Sequence, residues 1–265
     1  MRPAPPRRLF AENFVHSARI HFLCMALAAL ALLPKAAFAL NLDLPMVLWL
    51  LPLPLTEALT YTGVAIHECG HALAHWMFGE PALPMFDIIG GGGVTYHAER
   101  SPALIAGIYA LIAAGAALLL RRKKYKMAGA LAAAAALHAF VLIRSLDFFV
   151  ILVAGHAAEI VAGCVFLVLA TLRPHALKTG AERGIALVTG YYFLARNLGL
   201  SLGLIWIPSM RLEYTAQKGR AGDLDRAAAA IDVTMPEFAG GMAAFVLSCI
   251  LLGAVYILWR NAPRR

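Results

Sequence analysis

Charged residues are scarce in this 265-residue chain: Asp, Glu, Lys and Arg make up 14% of it, against 61% apolar residues. The mean hydropathy is +0.73. Soluble globular domains carry about 25% charged residues, so the shortage excludes that class and leaves a polytopic membrane chain. Acidic residues number 15 against 23 Lys and Arg, a net charge of +8. No basic stripe with interleaved aromatics is present, which excludes nucleic acid as a partner. The basic residues instead form short clusters between apolar runs, such as Arg121-Arg122-Lys123-Lys124, in the manner of cytoplasmic loop anchors in contact with lipid headgroups. Cysteine pairs of the C-x-x-C form are also missing. Cys24, Cys69, Cys164 and Cys249 all fall in apolar stretches and read as small packing residues, not as disulfides or zinc thiolates. No repeat of solenoid period is visible, so one membrane-embedded domain over 1–265 is expected.

What the chain has in abundance is long apolar runs. They lie at about 46–78, 101–120, 127–146, 147–172, 185–207 and 240–260, each near or above the roughly 20 residues that a bilayer demands. The expected fold class is an all-α polytopic membrane protein with about six or seven transmembrane helices. Pro52 and Pro54 interrupt the 46–78 stretch, which predicts a short piece followed by a separate helix. At the amino terminus, Arg2, Arg7, Arg8 and Arg19 precede an apolar run over 21–33, and Ala37-Phe38-Ala39 follows. Residues 1–40 are therefore a signal-like segment or a first transmembrane helix, and the long basic region favours the helix. The arginines predict a cytoplasmic start. Counting back from Arg260, Arg264 and Arg265 places the Arg121–Lys126 cluster inside, whereas counting forward places it outside, so one passage within 42–100 is miscounted. The Ala-rich run over 128–136 predicts a small-residue packing face. The longest polar stretches are 79–100 and 208–239.

One motif carries chemistry. His67-Glu68-Cys69-Gly70-His71 is an H-E-x-x-H. On an α-helix, positions i and i+4 lie one turn apart on the same side, so two imidazoles converge on one ion. Glu68 then sits beside the ion, where it accepts a proton from a water and passes it on. Uncompensated ionisable groups in an apolar span cost several kcal/mol, so Glu68 with two histidines there needs a ligand or partner. Zinc is the expected compensation. His75, a further turn along, diverges from the same ion and is expected to make an outer contact or a headgroup contact.

The segment 66–74, with its H-E-x-G-H-A-x-A pattern, resembles the first motif of the site-2 protease family of intramembrane zinc metalloproteases. The resemblance implies a glycine-containing hairpin in the membrane after the histidine helix, and Phe86 to Thr95, with Gly90, Gly91, Gly92 and Gly93, occupies that place. A membrane-associated hairpin or loop is thus expected, with Gly91, Gly92 and Gly93 as an edge for an extended substrate. The resemblance also places Ala154-Gly155-His156-Ala157-Ala158-Glu159 where the family has A-G-P-x-x-N. Here His156 and Glu159 replace the proline and asparagine, and they become alternative ligands, substrate-site residues or a polar pair. The family's third ligand is an aspartate in an L-D-G motif, which this chain lacks. Asp223 and Asp225 are the nearest equivalents, Asp223 being preferred for the glycine before it, with Glu159 also open.

The resemblance therefore implies a zinc-dependent endopeptidase. Zinc would be held by His67, His71 and one carboxylate, Glu68 would be the catalytic base, and the substrate would be a membrane protein segment. Membrane lipids are the other expected partner, and the expected location is multi-pass in the inner membrane of a bacterium. Zinc, water and a base serve lipid amides and esters equally well, so a lipid hydrolase is one alternative and a divalent-metal transporter is another.

Overall fold

In the computed structural model, which describes residues 7–40, 42–50, 52–87, 92–172, 177, 179–216 and 222–261, the apolar runs are helical. Helices α1 (Arg7–Ala39), α2 (Met46–Leu50) and α3 (Leu53–Met77) are followed by strands β1 (Ala82–Asp87) and β2 (Gly92–His97). Then come α4 (Pro102–Arg121), α5 (Tyr125–Ile143), α6 (Asp147–Leu172), α7 (Gly180–Trp206), α8 (Pro208–Ala216), α9 (Asp223–Ala230) and α10 (Met235–Asn261). Six of the described helices are long and apolar enough to cross a membrane, or seven with α7 and α8 counted as one bent span. The chain thus has the helix complement of a multi-pass membrane protein. It separates into two compact units, one of residues 1–63, 159–212 and 239–265 and the other of 64–158 and 213–238.

In the first unit, α1 packs along α7. Cys24, Ala28 and Ala31 are buried at positions three or four apart, and such small residues let helix backbones approach closely. Thr56 donates to the carbonyls of Ala31 (2.8 Å) and Pro52 (2.9 Å), which ties the start of α3 to α1 just after the proline break. The chain breaks there because Pro52 has no N–H to give a continuing helix. At five residues and about 7.5 Å, α2 is too short to cross a bilayer. Ile160, Leu194 and Val246 form the core.

Between α7 and α8 the direction changes by 110°. Ile207 is extended (φ −111°, ψ 99°), the conformation that a following proline imposes, and Pro208 starts the new helix. Arg211 then donates to the carbonyls of Leu204 (2.9 Å) and Ile205 (2.8 Å), placing a cation on the last carbonyls of α7. Part of the polar stretch over 208–239 is accordingly helical, as α8 and α9.

In the second unit, β1 and β2 pair antiparallel, with Ala82 opposite His97 and Asp87 opposite Gly92. A Schellman turn ends α3: Glu80 N–H donates to His75 O (2.9 Å) and Gly79 N–H to Trp76 O (3.1 Å). Gly79 has φ +84°, a conformation that costs glycine little and other residues more. Next, Ser101 accepts a hydrogen bond from Leu104 N–H and starts α4 with Pro102 in its first turn. Helices α4 and α5 pack on each other, although within α5 only Ala128 of the expected small-residue face is buried. The core consists of Ala74, Phe78 and Ile151, with Val141, Leu142, Val150 and Ala154 against it. These contacts set the first turns of α6 beside the end of α3, where the H-E-x-x-H motif lies.

Candidate metal centre

Helix periodicity brings His67 and His71 together on α3, with their Nε2 atoms 3.0 Å apart. Asp223, the first residue of α9, follows an extended Gly222 and belongs to the same unit as both histidines. Its Oδ2 lies 3.5 Å from His67 Nε2 and 3.2 Å from His71 Nε2. Three donors on a tetrahedral zinc with bonds of about 2.0–2.1 Å would be about 3.4 Å apart, and the observed edges of 3.0, 3.2 and 3.5 Å bracket that value. This group could hold a metal ion. Burial pushes the Asp223 carboxyl up, and His67 and His71, when protonated and donating to it, hold it well below the usual carboxylate range; a bound ion would take the place of those protons.

Neighbouring backbone fixes how the imidazoles present their nitrogens. His71 Nδ1 is 2.7 Å from the carbonyl of Ile151 on α6. A carbonyl only accepts, so Nδ1 carries the proton, and in the neutral ring the lone pair lies on Nε2, turned toward Asp223. Such an outer hydrogen bond is the usual device for orienting a ligating histidine. Gly155, one turn beyond Ile151, leaves the space that the rings occupy. A Cβ there would stand 2.5 Å from Nε2 of both His67 and His71. The donor chemistry and this cleared space both fit a bound zinc.

Glu68 is buried beside the pair, at 7% exposure. Thr95 on β2 donates to Glu68 Oε2 (2.8 Å), and its hydroxyl also lies 3.1 Å from the Glu68 carbonyl. Gly93, two residues back on β2, is where a Cβ would collide with the Glu68 side chain. The strand thus lies directly against the carboxylate. Thr95 has a contact that the sequence did not reveal. Its position in the glycine-rich segment was visible, but its partner depends on how β2 runs along α3.

The other expected residues are placed as follows. Gly92 and Gly93 lie on β2, opposite Asp87 and Phe86, while Gly91 lies outside the described residues. His156 is buried on α6 with its ring edge-on to His67, centroids 4.7 Å apart. Glu159 belongs to the first unit, where it accepts from Arg196 (3.0 Å) and Asn197 (2.9 Å). Asp225, in the first turn of α9, joins no metal-competent group among the described residues. Cys69, expected as a packing residue, is exposed. Adjacent helix positions point about 100° apart, which turns it away from the side that buries Glu68. His75 meets Glu80 rather than the first cluster, with Nδ1 2.7 Å from Glu80 Oε2. Burial raises the Glu80 carboxyl, and the hydrogen bonds with His75 and Arg100 more than reverse that.

No protein-family model, curated protein or solved structure matches the chain.

Proposed function

We propose that this protein is an intramembrane zinc endopeptidase of the site-2 protease kind, cutting membrane-embedded or membrane-associated protein segments in a bacterial inner membrane. The observation that carries the proposal is the convergence of His67 Nε2, His71 Nε2 and Asp223 Oδ2 beside a buried Glu68. Two histidines and one carboxylate leave a fourth position open, the arrangement of catalytic rather than structural zinc. His67, His71 and Asp223 would hold a zinc ion there, whose chemistry would be to polarise a carbonyl and make water nucleophilic near neutral pH. Thr95 occupies Glu68 Oε2, so Oε1 is the oxygen left to take the water's proton and deliver it to the leaving amine. His71 stays oriented through Ile151, and Asp223 balances the charge.

A helical substrate hides its amides and must unwind to be cut. Among the described residues, the two-stranded sheet leaves one edge of each strand without a strand partner, and an unwound segment can pair along such an edge. Gly91, Gly92 and Gly93 are the proposed edge, because Gly93 adjoins the Glu68 carboxylate.

The test uses the purified chain in proteoliposomes with a panel of tagged single-span membrane proteins. Wild type is compared with Glu68→Gln, fragments are read by mass spectrometry and zinc by elemental analysis. Cleavage within or beside a transmembrane segment is expected in wild type and lost in Glu68→Gln. Bound zinc should be equal in those two and lower by one per chain in His67→Ala and Asp223→Ala. Zinc flux without fragments would make the chain a transporter, and release of lipid acyl groups without fragments would make it a lipid hydrolase. Either result overturns the proposal.

A further inference from the structure

A second set of donors meets where α3 ends. The Schellman turn at Gly79 folds the chain back so that Glu80 Oε2 lies 2.7 Å from His75 Nδ1 and 3.5 Å from His97 Nδ1. The two rings are stacked, with centroids 4.2 Å apart and planes 15° from parallel. The three donor atoms lie within 4.8 Å of one another, and all three residues belong to the second unit.

We propose that His75, Glu80 and His97 form a second divalent-cation site, of a chemistry suited to zinc, that rivets β2 to the end of α3. Two imidazoles and a carboxylate are zinc donors. Charge permits a cation: Arg100 pairs with both Glu80 Oε1 and Asp147, so two carboxylates face one guanidinium and one negative charge remains. The donors also differ in exposure. The His75 and Glu80 side chains are 11% and 14% exposed, and that of His97 is 50% exposed. His75 and Glu80 are therefore the fixed half of the site, and the His97 ring tilts out of the stack to bring its nitrogen onto the ion.

This second site also bears on the first. Strand side chains alternate, so Gly93, Thr95 and His97 share a face of β2. Glu68 and His75, seven residues apart, share a face of α3. Gly93 and Thr95 meet Glu68, and His97 meets His75, so the strand runs beside the helix over this length. Fixing His97 fixes the strand that carries Thr95 to Glu68. Occupancy of the second site by a divalent cation would thereby regulate how firmly the proposed base is held.

The experiment strips the full chain in detergent with a chelator, reloads it with zinc alone, removes free metal by desalting and counts zinc per chain. Two zinc ions in wild type, one in His97→Ala and one in His67→Ala are expected. His97→Gln, a milder change at a half-exposed position, should also give one. Zinc should slow amide hydrogen exchange over 92–97 in wild type and in His67→Ala, but not in His97→Gln. One zinc in wild type that His97→Ala leaves unchanged overturns the proposal, as does zinc-independent exchange over 92–97. One zinc that survives His67→Ala but is lost in His97→Ala keeps this site and removes the first, so the two assignments fail separately.

Discussion

The two units each set a carboxylate among polar groups, fully buried in the first and part-exposed in the second, and they treat it differently. In the first unit, Glu159 is 1% exposed, and the chain supplies its donors, Arg196 and Asn197. In the second unit, Asp223 faces two imidazole nitrogens, one of which, on His71, is left with its lone pair by the Ile151 carbonyl. The Glu159 cluster brings its own cation to an anion, whereas the Asp223 cluster turns electron pairs toward a common point. Glu159, in the long apolar helix α6, needs such compensation, whereas Asp223 starts the short α9 outside the apolar spans. The Glu159 arrangement suits holding helices together, and the Asp223 arrangement suits holding an ion.

Substitutions can break or sharpen that contrast. The largest effect is expected from His67→Ala and Asp223→Ala, each losing one zinc per chain by elemental analysis and all Glu68-dependent cleavage. Next, Glu68→Gln should keep its zinc while cleavage falls on the order of 10²–10⁴-fold, read from initial rates of fragment formation. Glu159→Ala should leave zinc content unchanged and cost about 3–5 kcal/mol by stranding the Arg196 charge, seen as a lower Tm in detergent. Partial recovery in the Glu159→Ala, Arg196→Ala double variant is the accompanying sign. Loss of zinc in Glu159→Ala would erase the contrast and make Glu159 a ligand. The smallest effect is expected from Thr95→Val, which removes one hydrogen bond to a charged group, about 1.5–3 kcal/mol. Cleavage should slow without loss of zinc, and Thr95→Ser should restore it.

What was legible in the sequence was whatever obeys a local period. The apolar runs became helices of the expected lengths because a bilayer-scale run leaves the backbone few alternatives. His67 and His71 met because i and i+4 must meet on a helix. Choosing Asp223 over Asp225 was harder, since both stand in the first turn of α9 and differ only in direction around it. The destination of His75 was hidden by Gly79, whose positive φ sends Glu80 back over the helix end. The contact between Thr95 and Glu68 crosses 27 positions of sequence and depends on one strand running beside one helix, which no local pattern encodes. The 110° bend at Pro208 was not among the expectations, and Arg211 holds the end of α7 there.

The alternation along β2 makes the strand sensitive to parity. Val94 and Tyr96 point away from the Gly93, Thr95 and His97 face and are 47% and 62% exposed. A slip of one residue would bring Val94 to Glu68 together with Tyr96 or Gly92, according to its direction, and would remove Thr95 from the carboxylate. A slip of two would restore the face but carry it about 6.6 Å along the strand, beyond the reach of any hydrogen bond to the carboxylate. Single-residue insertions and deletions between Gly93 and Thr95 should therefore abolish hydrolysis. By the same parity the strand should accept changes of composition on its outward face and none of count there.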